Sequence, residues 1–177
     1  NKINYFIAPS EFLKEKFIEG GWKSKKFKVL RNFLDKKPTL ENNTYSNYIL
    51  YFGRLERIKG VYTLIKATTK INSNILLKIV GDGHDKKELE AFVKLSNCKN
   101  IEFCGYKSGN ELDEIIRKSL FIIVPSEWYE NCPYTIIEGM SFGKPVIGSD
   151  LGGIKELVKD KWNGLLFKHG DDKDLSE

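Results

Sequence analysis

The sequence predicts an α/β protein built on a doubly wound parallel sheet, and two observations support this. Short apolar runs alternate with longer amphipathic runs along most of the 177 residues, which is the strand–helix–strand order of a parallel sheet. Several of the short runs are also continuously apolar rather than alternating, as expected for strands that helices cover on both faces.

Residues 48–177 are predicted to form one Rossmann-like domain. In its helix at 109–118, Leu112, Ile115 and Ile116 recur at helical spacing after a polar start. The predicted strands lie at 48–53, 75–81, 101–105, 120–125, 145–149 and 164–167. The predicted helices lie at 60–71, 85–96, 109–118, 133–142 and 152–158.

Residues 1–47 read as a separate segment that joins this domain to another. Expected here are a strand at 3–8, a helix at 10–20 capped by Ser10, a strand at 27–32 and a polar linker or loop at 35–47. The closing residues DDKDLSE resemble the start of a further helix that Asp171 or Asp172 would cap. Both ends therefore suggest a fragment of a larger protein, truncated at its C-terminus.

Composition limits the class of protein. With 41% hydrophobic and 30% charged residues the chain can bury a core, and its longest apolar run, at 120–124, is too short for a bilayer. Three cysteines without metal-like spacing favour a reduced cytoplasmic protein. The net charge of +5 indicates a lysine-rich surface, with peripheral contact to an anionic membrane or an acidic substrate as the alternative. The lysines are not interleaved with aromatic residues, which argues against nucleic acid as a partner.

Candidate site residues follow the predicted strands, where ligands of open α/β sheets bind. In FGRLERIKG, Gly53 allows close backbone approach, and Arg54 and Lys59 place two cations before a helix. An arginine fork with a lysine point charge suits a diphosphate. The alternative is a tight turn with solvated basic residues.

Two further candidates lie after the next strands. In VGDG, Gly81 and Gly83 flank Asp82, which is half of a phosphate-binding fingerprint or equally a glycine-assisted turn. Tyr106 follows a strand that ends at Gly105, so it could stack on a base or pack against a neighbouring loop.

The stretch ENCPYTIIE carries the fourth candidate. Pro133 suits the first turn of a helix, with Asn131 or Cys132 as its N-cap. The amides of Tyr134 and Thr135 would then point into the crevice, where the helix dipole favours a phosphate.

Two acids enclose this stretch. Glu130 lies just before the helix, and Glu138 lies more than one turn inside it, within an apolar run. Burying a carboxylate is costly unless something binds it. Glu138 could accept hydroxyl hydrogen bonds from a ribose, or it could pair with a backbone amide or with Lys144.

The ordered set of motifs resembles the C-terminal, nucleotide-sugar-binding domain of family 4 retaining glycosyltransferases, which is one half of the two-domain GT-B architecture. The resemblance covers about residues 48–167 and rests on GRLERIKG, VGDG, EFCG, VPS, ENCPYTIIE, GKPV and GGIKE, in that order. The earlier stretches APSEFLKEKFIEGG and KVLRNFLD are similar to the segment that joins the two domains in this family.

The resemblance implies roles for individual residues. Arg54 and Lys59 would clamp the donor diphosphate, Glu130 would face the donor sugar and Glu138 would hold the ribose. The backbone at 131–135 would approach sugar and phosphate. The stretch 103–106 would border the base.

The resemblance also implies a UDP- or GDP-sugar donor, no metal cofactor, and a glycan or lipid-linked acceptor bound by an N-terminal domain that this chain lacks. We therefore expect no transferase activity from the chain alone. Asn131 and Cys132 depart from the glycine and small apolar residue common there, and Phe33 replaces a glycine. The alternatives are a GT-B sugar-nucleotide epimerase, a glycogen-synthase-like enzyme, or a non-catalytic nucleotide-sugar-binding subunit.

Overall fold

A computed structural model describes residues 3–35 and 46–177, and its elements follow the predicted alternation of strands and helices. The strands are β1 (Phe6–Ala8), β2 (Phe27–Val29), β3 (Tyr48–Phe52), β4 (Leu76–Val80), β5 (Ile101–Gly105), β6 (Ile122–Val124), β7 (Val146–Ser149) and β8 (Gly164–Phe167). The helices are α1 (Glu11–Glu19), α2 (Val61–Lys70), α3 (Lys86–Leu95), α4 (Gly109–Lys118), α5 (Tyr134–Ser141) and α6 (Ile154–Leu157).

Six parallel strands form the main sheet, in the order β5-β4-β3-β6-β7-β8, and β1 pairs with β2 in a separate parallel pair. The chain enters the main sheet at β3, builds outward to β5, and then crosses back to place β6 on the other side of β3. The strand order therefore reverses between β3 and β6, and ligands of doubly wound sheets bind at such a point. The predicted fold class is confirmed.

The burial of β3 on both faces explains why its sequence is continuously apolar. All five of its residues are buried. Ile49 and Tyr51 contact the core cluster that contains α2 and α3, whereas Leu50 and Phe52 contact the cluster that contains α5 and α6. Both faces of the strand are covered by helices, so neither face can be polar.

The helices of the described ranges are short, with four to ten residues each. None of the helices in residues 3–35 and 46–177 is long and apolar enough to span a membrane. At the start of α1 the Leu13 amide donates to the Ser10 hydroxyl over 3.1 Å, which confirms the predicted cap.

Several predicted boundaries were wrong. The strand expected at 3–8 begins only at Phe6, although it ends at Ala8 as predicted, before Pro9, which has no amide to donate. The strand expected at 27–32 ends at Val29, its ladder closing with the Leu30 amide on the Ala8 carbonyl. Instead of a helix, the C-terminal residues form a short 3₁₀ turn at Asp174–Ser176, where the Asp171 carboxylate accepts two backbone amides. Most of the loop expected at 35–47 lies outside the described residues.

The helix expected at 152–158 is also shorter than predicted, at Ile154–Leu157. Gly152 has a φ of +57°, which is not helical, and the Gly153 amide donates to the carbonyl of Glu130 over 2.6 Å. These two residues are therefore used to contact another loop rather than to extend the helix.

Gly60 brings two loops of the carboxyl edge into backbone contact. It precedes α2 with a φ of +68°, and a Cβ at this position would lie 1.8 Å from the carbonyl oxygen of Pro125. The same contact is reinforced by the Glu127 amide, which donates to the Ile58 carbonyl over 2.8 Å. The loop after β3 is thereby held against the loop after β6, across the point where the strand order reverses.

We predict that Gly60→Ala destabilises the protein far more than Gly143→Ala. Gly143 has nearly the same backbone angle, a φ of +71°, but a Cβ there would meet nothing within 4 Å. Gly143→Ala carries only the left-handed backbone strain of about 1 kcal/mol, whereas Gly60→Ala adds a backbone clash, for a total of about 3 kcal/mol. Urea unfolding of both variants measures the difference, and equal losses would contradict the close-approach argument.

Candidate functional site

Two cavities meet at the carboxyl end of β3. The first, of about 220 Å³, lies between β3 and β6 and reaches the start of α5. The second, of about 490 Å³, lies between β3, β4 and the start of α4. Phe52, Gly53 and Arg54 line both cavities, so the two form one cleft along the predicted edge of the sheet.

Both cations that the sequence singled out, Arg54 and Lys59, line the first cavity. Lys59 ends the 3₁₀ turn Arg57–Lys59, and its Nζ lies 2.5 Å from Oε1 of Glu130. The Ser126 hydroxyl donates to the same oxygen over 2.9 Å. Arg54 is two-thirds exposed and forms an ion pair of 3.0 Å with Glu56. Lys59 is therefore held in place, while the guanidinium of Arg54 is accessible at the mouth of the cleft.

The structure corrects the predicted N-cap of α5. Asn131 and Cys132 do not cap the helix; its N-cap is Pro133, with no side-chain hydrogen bond, and the helix begins at Tyr134. The carbonyls of the preceding loop are used elsewhere: that of Cys132 accepts a hydrogen bond from Asn32 over 2.8 Å.

The start of α5 nevertheless faces the first cavity, which Pro133, Tyr134 and Thr135 line. Because Pro133 lacks a capping side chain, the first-turn amides of Tyr134 and Thr135 have no hydrogen-bond acceptor among the described residues. These amides and the helix dipole add to the positive potential of Lys59 and Arg54. This end of the cleft is suited to an anion.

Glu138 lies at the other end of the cleft, in the second cavity. Burial raises the pKa of its carboxyl, and the negative charge of Asp113 raises it further. None of the described residues donates a hydrogen bond to this carboxylate. The alternative that Glu138 pairs with a backbone amide is therefore not observed among these residues. Lys144, the other partner considered, lines a different cavity beside Trp162. The carboxylate bears a desolvation cost without a compensating partner.

The glycines of VGDG have a packing function in this structure. A Cβ on Gly81 would lie 1.8 Å from the Gly53 carbonyl oxygen, and one on Gly83 would lie 2.2 Å from that of Leu55. The carboxylate of Asp82 accepts the Gly83 amide over 2.9 Å, which closes the turn. These contacts fix the wall of the second cavity. Gly81 and Asp82 also line that cavity directly.

Tyr106 lies at the mouth of the second cavity and is 72% exposed. Its ring is thus free of the neighbouring loops and is accessible to a planar ligand. The strand residues before it do not line the cavity; the cavity continues instead along Lys107, Ser108, Gly109 and Leu112.

Sequence reasoning did not assign roles to three residues that shape the first cavity. Ser126 was visible in the motif VPS, but only the structure shows that it holds Glu130. Asn32 and Gly153 contact the loop that follows Glu130. These two are remote in sequence, and no local pattern indicated the contacts. Asn131 and Cys132, both predicted site residues, line neither cavity.

No cluster of three His, Cys, Asp or Glu side chains suited to a metal ion occurs within residues 3–35 and 46–177.

A cleft at the reversal point of a doubly wound sheet is where α/β proteins of this class bind their ligands, and one end of this cleft is suited to an anion. Residues 32–177 match the sequence model of the family described as Glycosyl transferases group 1, and the chain belongs to this family. The predicted family is thereby confirmed.

Individual relatives agree. An uncharacterized glycosyltransferase of Methanocaldococcus jannaschii is 38% identical over 149 residues, which are 84% of this chain and 41% of that protein. Lipopolysaccharide 1,6-galactosyltransferase of Salmonella typhimurium is 28% identical over 94% of this chain and 49% of its own length. The chain thus spans about half the length of these relatives.

Solved structures give the same picture. The Anabaena protein HepE in complex with UDP superposes with a TM-score of 0.86 and 25% sequence identity, over 98% of this chain and 52% of that one. The same protein in complex with UDP-glucose superposes with a TM-score of 0.84.

We predict that Glu138→Gln stabilises the protein at neutral pH. The pKa of Glu138 is raised in the folded state, so its protonated form stabilises the fold below the ordinary value of 4.5, and this contribution is lost as the pH rises through the folded pKa. The advantage of the glutamine variant should therefore grow as the pH rises above the ordinary carboxyl value of 4.5, and it should level off once the folded-state carboxyl is fully ionised.

Urea unfolding at several pH values measures this difference. Glu15→Gln, which changes an exposed acid of α1, is the control and should show no such trend. A Glu138→Gln variant that is less stable than the wild type at pH 7 would mean that the carboxylate has a partner in the free protein.

Proposed function

We propose that this chain is the donor-binding domain of a retaining glycosyltransferase, which binds a UDP- or GDP-sugar and stabilises the departing nucleoside diphosphate. The observation that carries the proposal is the shape and charge of the single cleft. One end offers Arg54, Lys59 and the free amides of α5, and the other offers the partnerless carboxylate of Glu138.

This order of groups corresponds to the order of groups in a nucleotide sugar. A diphosphate needs cations and amide donors, and a ribose needs an acceptor for its hydroxyl hydrogens. Tyr106 at the outer end of the second cavity offers a ring on which a base can stack. The complexes of the similar HepE with UDP and UDP-glucose support the same ligand class.

The chemistry we propose is stabilisation of the leaving group. When the glycosidic bond to the diphosphate breaks, negative charge develops on the phosphate oxygens. Arg54, Lys59 and the first residues of α5 line the cavity in which we propose that this charge develops, and their cations and amides would stabilise it. Because these groups supply the positive charge, we propose that the reaction needs no metal ion.

Glu130 has a second function in this proposal. Its Oε1 accepts from Lys59 and Ser126, whereas none of the described residues donates to its Oε2. The free oxygen can accept a hydroxyl of the donor sugar and can stabilise positive charge that develops at the anomeric carbon. The ion pair with Lys59 fixes the direction in which this oxygen points.

We further propose that the acceptor is a glycan or a lipid-linked sugar, bound by the part of the protein that precedes this chain. The similarity to a lipopolysaccharide galactosyltransferase supports this class of acceptor. Three free cysteines are consistent with our placing the reaction in the reducing cytoplasm.

Calorimetric titration with UDP, GDP and ADP tests the proposal. We expect one of these diphosphates to bind the wild-type chain. Glu138→Gln should weaken binding about tenfold, because it loses the charge-assisted hydrogen bonds to the ribose. Lys59→Met should weaken binding at least tenfold, because it removes a cation that contacts the diphosphate.

Lys66→Met provides the matched control for Lys59→Met. Lys66 is an exposed lysine of α2, so its loss changes the net charge equally but leaves the cleft intact, and affinity should stay within about twofold. Equal losses from the two lysine variants would show that binding follows net charge alone. A folded wild-type chain that binds none of the three diphosphates would contradict the proposal.

A further inference from the structure

The loop that carries Glu130 is held by a part of the chain that lies far away in sequence. We define the donor loop as residues 129–132, between β6 and α5. The Asn32 side chain donates to the carbonyl of Cys132 over 2.8 Å, across 100 positions of sequence. The ring of Phe12, in α1, packs against Tyr129 with centroids 5.1 Å apart. Two residues of the segment 3–35 thus contact the two ends of the donor loop.

A third connection passes through Glu156. Its carboxylate accepts the amides of Glu11 and Phe12, at 3.1 and 2.5 Å, so an acid from α6 caps the first turn of α1. A carboxylate at a helix N-terminus is favoured by both hydrogen bonding and the helix dipole. Arg31 lies 3.6 Å from the same carboxylate. α1 is thereby fixed to α6 over 145 positions of sequence.

The start of α6 in turn contacts the backbone of the donor loop. The Gly153 amide donates to the Glu130 carbonyl over 2.6 Å. A Cβ on Gly153 would lie 1.8 Å from the Asn131 carbonyl oxygen, so the two segments touch backbone to backbone. The carbonyls of Glu130, Asn131 and Cys132 are therefore all in contact with residues outside the loop.

From these contacts we infer that Asn32 is a positioning residue of the donor site, and that Glu156 supports it through α1. Asn32 holds the backbone of the donor loop through the Cys132 carbonyl, and Gly153, at the start of α6, holds it through the Glu130 carbonyl. The backbone so fixed determines where Glu130 meets Lys59. The inference rests on the proposed function, because it assigns to the segment 3–35 a part in holding the donor sugar.

This arrangement has a consequence for the specificity of the donor site. Glu138 and Tyr106 line the second cavity, whereas Cys132, which accepts the hydrogen bond from Asn32, lines neither cavity. Displacement of the donor loop should therefore disturb the sugar more than the nucleoside. If Asn32 positions the donor loop, its loss should lower the affinity for a nucleotide sugar more than the affinity for the nucleotide alone. A general loss of stability would lower both affinities equally.

Asn32→Asp tests the inference, with Asn100→Asp as the matched control. Both changes are isosteric, add one negative charge and remove a side-chain amide that donates to backbone carbonyls. Asn100 donates to the carbonyl of Ile75 over 3.1 Å, at the opposite edge of the sheet. The measurements are amide hydrogen exchange over residues 126–135 in the free protein, and calorimetric affinities for UDP and UDP-glucose.

We expect Asn32→Asp to speed exchange in residues 126–135 about tenfold, because the Cys132 carbonyl loses its donor. UDP-glucose should bind about tenfold more weakly and UDP less than threefold more weakly. Asn100→Asp should change neither the exchange of this stretch nor the ratio of the two affinities. Glu156→Gln should change the exchange of this stretch and the ratio of the two affinities in the same direction as Asn32→Asp, but by less.

Three results would overturn the inference: unchanged exchange in residues 126–135, equal losses for UDP and UDP-glucose, or the same effects from Asn100→Asp. If Asn32→Asp were too unstable to purify, Glu156→Gln would decide by the same criteria. Should the wild-type chain bind neither uridine ligand, the uridine donor of the proposed function fails, and the exchange pattern alone decides whether Asn32 positions the loop.

Discussion

The site depends on close approach between backbone segments at one edge of the sheet. Gly60 lies against the Pro125 carbonyl, Gly81 against that of Gly53, and Gly153 against that of Asn131, in each case at a distance that a Cβ would forbid. A parallel sheet brings the loops that follow its strands to one edge, but it does not bring them into contact. The glycines allow that contact, and Gly60 in particular holds the loop of Lys59 against the loop that leads to Glu130.

The two acids of the cleft show how differently a protein can treat a carboxylate. Glu130 is four-fifths buried and has a cation and a hydroxyl on one oxygen. Glu138 is half-buried, its pKa is raised, and none of the described residues donates to it. The ion pair and the hydrogen bond offset the cost of burying Glu130, whereas none of the described residues offsets the cost of burying Glu138. In the free protein the desolvation cost of Glu138 therefore remains uncompensated, at the position where a ribose is proposed to bind.

Most of the fold could be predicted because its signals are local. The five consecutive buried residues of β3 and the serine cap of α1 each depend on neighbours within a few positions of sequence. The doubly wound parallel sheet followed from the alternation of elements, whereas the order of its strands came from the structure alone. The cap of α5 could not be predicted in the same way, because Asn131 is a good capping residue whose environment is decided by Gly153. A contact between residues far apart in sequence overrode a local preference.

The parts of the site that escaped prediction are those made by long-range contacts. The sequence could nominate Arg54, Lys59, Glu130 and Glu138 because each charge follows a strand or interrupts an apolar run, and all four line the cleft. Asn32 and Glu156 have no such local signature, since an asparagine before an apolar pair and a glutamate on a short helix are ordinary surface residues in sequence. Only the fold shows that they contact the donor loop and the first turn of α1. Hydrogen bonds that span 100 and 145 positions leave the segment 3–35 little freedom relative to the sheet. The geometry of the cleft is therefore set jointly by the sheet and by a segment that contributes no residue to either of its cavities.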